Sequence, residues 1–96
     1  MPAKTRKELK SESKILEPKV RIGKSGMSDA VVAEIKKVLK TNPLFKVKLL
    51  KGALAGKDKK DVAREVAEKT GTVLIDQIGF TIVIARRSVV REEDKK

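Results

Sequence analysis

Gly23, Lys24, Ser25 and Gly26 form the stretch of this sequence whose residue types and spacing best suit a chemical task. Two glycines three apart let a backbone turn tightly and approach a partner with no side chain in the way. The lysine between them offers a mobile positive charge and the serine a hydroxyl, a combination that can hold a sugar-phosphate strand. Ser28 then suits a helix N-cap and Asp29 the first turn, so a helix N-terminus with free N–H groups and a positive dipole directly follows the glycines. An isolated GxxG is more often a plain structural turn, and only its surroundings can favour the binding role.

Gly23-Lys24-Ser25 superficially matches a nucleotide-binding P-loop. That motif needs a glycine five positions earlier, where this chain has Pro18, so nucleotide hydrolysis is set aside. The charge distribution decides between the two remaining roles. The 96 residues carry a formal charge of +11, and its placement is uneven. Residues 15 to 51 hold nine basic and three acidic groups, whereas residues 52 to 85 hold five of each. A charge serving solubility alone would be spread evenly, so a polyanion-binding face around the glycines is the better account. Arg21, Lys46 and Lys48 lie on strand-like segments and Lys36, Lys37 and Lys40 on a helix-like one, and all six join the candidate site with Arg86. For the helix lysines the plain alternative is a solvated face. For the strand residues and Arg86 it is protection of sheet surface and edge against aggregation.

With no cysteine and no histidine, thiol nucleophiles, thiolate metal sites, disulfides and imidazole base chemistry are excluded. No enzyme, cofactor, metal site or small-molecule substrate is expected. No apolar run approaches the roughly 20 residues of a membrane span, and the N-terminus lacks a signal-like apolar core, so a soluble cytoplasmic protein without a membrane partner is expected. The length suits one domain over 1–96, with an ordered core over about 5–87 and a charged tail over 88–96, in which Val89 and Val90 are the residues that could extend the last strand.

Several elements must position the glycines. Thr5 and Glu8 form a capping box for a short helix to Ser13, anchored by Leu9, and residues 1 to 4 read as loose. Pro18 marks the entry to a strand in which Val20 and Ile22 alternate with Lys19 and Arg21. Val31, Ile35, Val38 and Leu39 make an amphipathic helix that runs to about Thr41 and is stopped by Pro43. Leu44 to Lys51 alternates again, with Phe45, Val47 and Leu49 opposed to Lys46 and Lys48. A glycine-bounded loop leads to a helix over Lys59–Thr70, capped by Asp58 at its start and Gly71 at its end. Thr72–Ile78 and Phe80–Arg86 form a hairpin about Gly79, with apolar residues on both faces that predict the more buried strand pair. The order α-β-α-β-α-β-β predicts an α/β domain with a four-stranded mixed sheet. Phe45 falls in its strand's apolar register and reads as core. With no aromatic expected on the sheet surface, backbone and phosphate contacts to structured or double-stranded RNA are expected over base stacking.

The run Pro18-Lys19-Val20-Arg21-Ile22-Gly23-Lys24-Ser25-Gly26-Met27-Ser28, with Ala33-Glu34-Ile35, Lys46-Val47-Lys48, Thr70-Gly71 and Ile78-Gly79-Phe80-Thr81-Ile82-Val83-Ile84, resembles the CRM domain, also called the YhbY-like RNA-binding domain. The similarity spans roughly Leu9 to Arg87. It implies a fold like the C-terminal domain of bacterial initiation factor three and a GxxG loop that contacts RNA. For stand-alone members it implies association with precursors of the large ribosomal subunit, that is, pre-rRNA and ribosome biogenesis. One departure is Ala85-Arg86, where family members often have tyrosine before the arginine. The expectation is therefore a non-enzymatic, monomeric, RNA-binding ribosome-assembly factor. Two alternatives remain open: a KH-like module for single-stranded RNA, which would place a helix directly before Gly23, and a general nucleic-acid or protein interaction domain.

Overall fold

The computed structural model describes residues 3–24, 26–54 and 56–91. Its elements follow the order α1 (Arg6–Ser13), β1 (Pro18–Ile22), α2 (Asp29–Leu39), β2 (Leu44–Leu49), α3 (Lys59–Thr70), β3 (Thr72–Ile78) and β4 (Thr81–Arg86), with short 3-10 turns at Lys51–Ala53 and Arg87–Val89. The four strands make one mixed sheet in the lateral order β1-β2-β4-β3. β1 and β2 are parallel, with α2 as the crossover, and β4 runs antiparallel to both of its neighbours.

Register explains the two faces. Val20 pairs with Val47, Ile22 with Leu49, Phe45 with Ile84 and Val47 with Ile82, so these side chains share one face. They are buried together with Ile35 and Leu39 of α2 and Val62, Ala63 and Val66 of α3. A smaller cluster of Leu9, Ile75, Val83, Ala85, Val89 and Val90 covers half of the other face. The uncovered half carries Arg21, Lys48 and Thr81, neighbours across β1, β2 and β4.

The hairpin strands are the more buried pair, as their apolar faces predict, since Ile78 is their one exposed residue whereas Lys19, Arg21 and Lys48 are exposed on β1 and β2. The two hairpin strands are nevertheless not alike. β4 is central, but β3 forms an edge and Ile78 is 59% exposed. Alternation tells which face a residue takes, and apolar residues on both faces of β3 reflect α1 covering its first part. A register shift between Leu74 and Asp76 follows, and of the residues beyond it only Ile78 is exposed.

The boundary expected at residue 88 also moves. Val89 and Val90 are buried, and Lys4 bridges to Val90 as a short parallel pair. The Lys4 N–H donates to the Val89 carbonyl at 2.8 Å and the Arg91 N–H to the Lys4 carbonyl at 2.7 Å. Residue 4 and residues 88–90 therefore belong to the packed unit, drawn in because two adjacent valines bury more apolar surface than a charged tail would. The remainder of the expected tail, 92–96, lies outside the described residues.

The α1 capping box forms: the Glu8 N–H donates to the Thr5 hydroxyl at 3.2 Å, and the Thr5 N–H donates to the Glu8 carboxylate at 2.9 Å. That backbone hydrogen bond holds the Glu8 carboxyl below its ordinary pKa, opposed by desolvation and aided by the Thr5 hydroxyl, Arg91 and Lys4. Glu65 is held low in the same sense, chiefly by Lys69 at 3.1 Å and also by Lys57 at 3.5 Å. A carboxylate whose folded pKa is depressed contributes stability above its unfolded pKa and loses it as pH falls through the folded value. Melting temperature is therefore expected to hold from neutral pH down to about 5 and to fall below about pH 4. Glu8→Gln should remove part of that fall in circular-dichroism melts across pH.

Candidate nucleic-acid interface

The GxxG turn sits where β1 ends. Because β2 is parallel to β1, both strands finish at the same end of the sheet, and the hairpin tip at Gly79–Phe80 lies there too. α2 and α3 both begin at this end, so two helix N-termini, with their positive dipole ends, face the same region.

The turn is closed by the Gly26 N–H donating to the Gly23 carbonyl at 2.9 Å, and the Ser28 N–H donates onward to the Gly26 carbonyl at 3.0 Å. The Ser28 hydroxyl accepts from the Val31 N–H at 3.3 Å, completing the N-cap of α2. Asp58 occupies the N-cap position of α3, but its side chain makes no capping hydrogen bond.

The two glycines are present for different reasons. Gly26 has φ +66°, a left-handed backbone that strains any residue with a Cβ. Gly23 does not have a positive φ, and a Cβ there would meet only the Leu50 side chain at 3.7 Å, ordinary van der Waals contact. Among the described residues, then, nothing within the fold demands a glycine at 23. Gly52 adds a third role. A Cβ on it would come 3.3 Å from the Lys24 Cα, so a side chain at residue 52 would press on the backbone of the GxxG turn against which the 3-10 turn after β2 packs.

The predicted basic residues separate into groups. Arg21 and Lys48 are direct cross-strand partners, and Lys46 lies on the same sheet face beside Val83, where the covered half begins. Lys24 is exposed in the turn just beyond Arg21. Ser25 lies outside the described residues. Lys36 and Lys37 occupy the last turn of α2 and Lys40 its C-cap, at the opposite end of the helix from the GxxG turn. α2 covers the first sheet face, so these three lysines are also on the other side of the sheet from Arg21, Lys46 and Lys48.

Arg86 stands apart from all of these. Its guanidinium donates to the Leu39 carbonyl, and its backbone N–H donates to the Pro43 carbonyl at 2.8 Å. It satisfies one of the orphan carbonyls at the C-terminus of α2, where positive charge also suits the helix dipole. Its role in this structure is thus to tie α2 to β4, away from the turn.

The loop end also carries residues outside the predicted site: Lys51 and Gly52 after β2, and Lys59 with its ammonium 4.9 Å from the centre of the Phe80 ring. The signal for the first two was topological, since loops after neighbouring parallel strands emerge side by side. A cleft of about 230 Å³ separates the turn from α3, with Lys24 and Lys57 at its rim and Ile22, Met27, Leu54 and Val62 in its walls. Among the described residues no group of acidic side chains is arranged to hold a metal ion, and no helix is long and apolar enough to cross a membrane.

A strand, not a helix, precedes Gly23, which separates this turn from the KH arrangement. A GxxG turn between strand and helix, at the basic end of a four-stranded mixed sheet, defines a class of small α/β domain distinct from both KH modules and P-loop enzymes. The chain belongs to the CRS1/YhbY (CRM) domain family, whose model matches residues 1–86. It is 31% identical over 88 residues to the Bacillus subtilis protein named "Probable RNA-binding protein YqeI", covering 92% of this chain and 90% of that one. It is 33% identical over 86 residues to "Probable RNA-binding protein MJ0652" of Methanocaldococcus jannaschii, covering 90% of this chain but 63% of that longer protein. Its fold is similar to the solution structure of SAV1595 from Staphylococcus aureus, with a TM-score of 0.73 and 31% identity over 99% of this chain and 95% of the other.

Proposed function

We propose that this protein binds RNA without catalysing a reaction, by clamping the sugar-phosphate backbone against the GxxG turn, and that it acts as a monomer on structured precursor rRNA of the large ribosomal subunit in the cytoplasm. The observation that carries the clamp is Gly23. Its φ lies outside the left-handed region and a Cβ there would meet only the Leu50 side chain at ordinary contact distance, so a bare position there is accounted for by a partner that comes close from outside. Lys24, Arg21 and Lys48 supply charge beside it, and the start of α2 supplies N–H groups and dipole. The names of the Bacillus and Methanocaldococcus relatives support RNA as the partner. The ribosomal assignment rests on the family resemblance described above.

The test is competition at fixed salt between a structured RNA and a DNA duplex of equal length. A charge-only interaction binds both alike. The proposal predicts preferential retention of the RNA, and equal competition would contradict it in favour of a general polyanion or protein-interaction role.

A further inference from the structure

The chain has two aromatic residues and treats them oppositely. Phe45 is 1% exposed in the core, whereas Phe80 is 37% exposed at the tip of the β3–β4 hairpin. Gly79, with φ +59°, makes the tight turn, and nothing in that turn requires a ring at position 80. The position is nevertheless firmly held, because the Phe80 carbonyl accepts from the Leu49 N–H at 2.6 Å. The next residue, Leu50, donates its N–H to the Ile22 carbonyl at 2.9 Å and packs beside Gly23. Phe80 therefore stands two strand spacings from the turn, about 10 Å, on the same end of the sheet.

Its surroundings resemble neither a core nor a plain charged surface. Leu50, Ile78 and Phe80 are three of the four exposed large apolar side chains among the described residues, and all three lie at this end. The same end of the sheet carries Lys24, Lys48, Lys51 and Lys59, the last with its ammonium 4.9 Å from the centre of the Phe80 ring. An aromatic surface set among cations is the arrangement that binds unpaired nucleotides, with the ring stacking on a base while the charges track the phosphates.

We infer that Phe80 is a stacking platform for an unpaired base next to the phosphate held by the GxxG turn, so that the RNA recognised carries a bulge, loop or junction at that point. The inference rests on the RNA-clamp reading, sharpens its substrate class and reverses the expectation of a protein that forgoes base stacking.

The test uses the full chain with two probes, an RNA hairpin bearing a single unpaired adenine in its stem and the same hairpin without it. The wild type should bind the bulged hairpin more tightly. Phe80→Ala should weaken binding to it by about 5- to 150-fold while leaving the uninterrupted hairpin unaffected. Phe80→Leu keeps apolar volume at the tip should the alanine variant fail to fold, and it should lose the same preference, whereas Phe80→Trp should retain it. With 2-aminopurine as the bulged base, fluorescence should be quenched by the wild type and not by Phe80→Leu. Equal weakening on both hairpins, or unchanged binding of the bulged one as a protein-docking role for this surface would give, overturns the platform but spares the clamp. Failure of the wild type to bind either hairpin overturns the clamp itself.

Discussion

Lys24→Asp combined with Ser25→Asp is expected to weaken binding to a structured RNA by at least about tenfold, or 1.4 kcal/mol, without altering the fold. Lys24 is exposed beyond the end of β1, and the turn is closed by a backbone hydrogen bond between Gly26 and Gly23 that does not involve its side chain. Surface substitutions of this kind shift stability by about 0.5 kcal/mol or less. On the clamp reading the binding cost is larger, because one cation is lost from the GxxG turn and two anions are added to it. The slope of log affinity against log salt should become shallower by somewhat under about one for each phosphate contact removed. Titrations at several salt concentrations, on a variant whose melting temperature matches the wild type, measure both effects.

The largest effect on stability is expected from Phe45→Ala. Phe45 is the bulkiest of the fully buried side chains. It sits on central β2, opposite Ile84 of central β4. Removing a buried phenylalanine side chain costs about 3–5 kcal/mol through lost burial and the cavity left behind. A domain of this length has only about 5–15 kcal/mol in all. The urea midpoint should fall steeply at a nearly unchanged slope, and the melting temperature should drop by about 12 °C or more. At a temperature where the variant remains folded, RNA affinity should be close to wild type, because Phe45 faces the helices rather than the open half of the sheet. A loss below about 1 kcal/mol would mean that the core is not organised around β2.

Much of this architecture was legible before any coordinates. The Thr5–Glu8 box, the Pro18 entry, the Pro43 stop and the Gly71 cap are local signals, and α1 and α3 run over the residues they predict. What alternation does not encode is lateral order. β3 and β4 are equally apolar in sequence, yet the hairpin places β4 beside β2 and leaves β3 at the edge. Arg86 shows the same limit for charge: counting cannot see that the Leu39 carbonyl, 47 residues away, occupies its guanidinium. Lys36, Lys37 and Lys40 were grouped with Arg21 by proximity in the chain, whereas α2 carries them to the far end and the opposite face. Phe80 was hidden because hydropathy alone does not distinguish a ring in the core from one at a hairpin tip.

The measurement that bears most directly on the clamp is the affinity of Gly23→Val for a structured RNA at fixed salt. This substitution changes no charge, meets no left-handed backbone at residue 23, and brings a Cβ into contact only with the exposed Leu50 side chain. It places a branched side chain between the turn and whatever approaches it. The clamp predicts an unchanged melting temperature, an unchanged salt slope and binding weakened by about tenfold. Wild-type affinity in a folded Gly23→Val protein would contradict it, because the RNA would then not be passing against the backbone at Gly23.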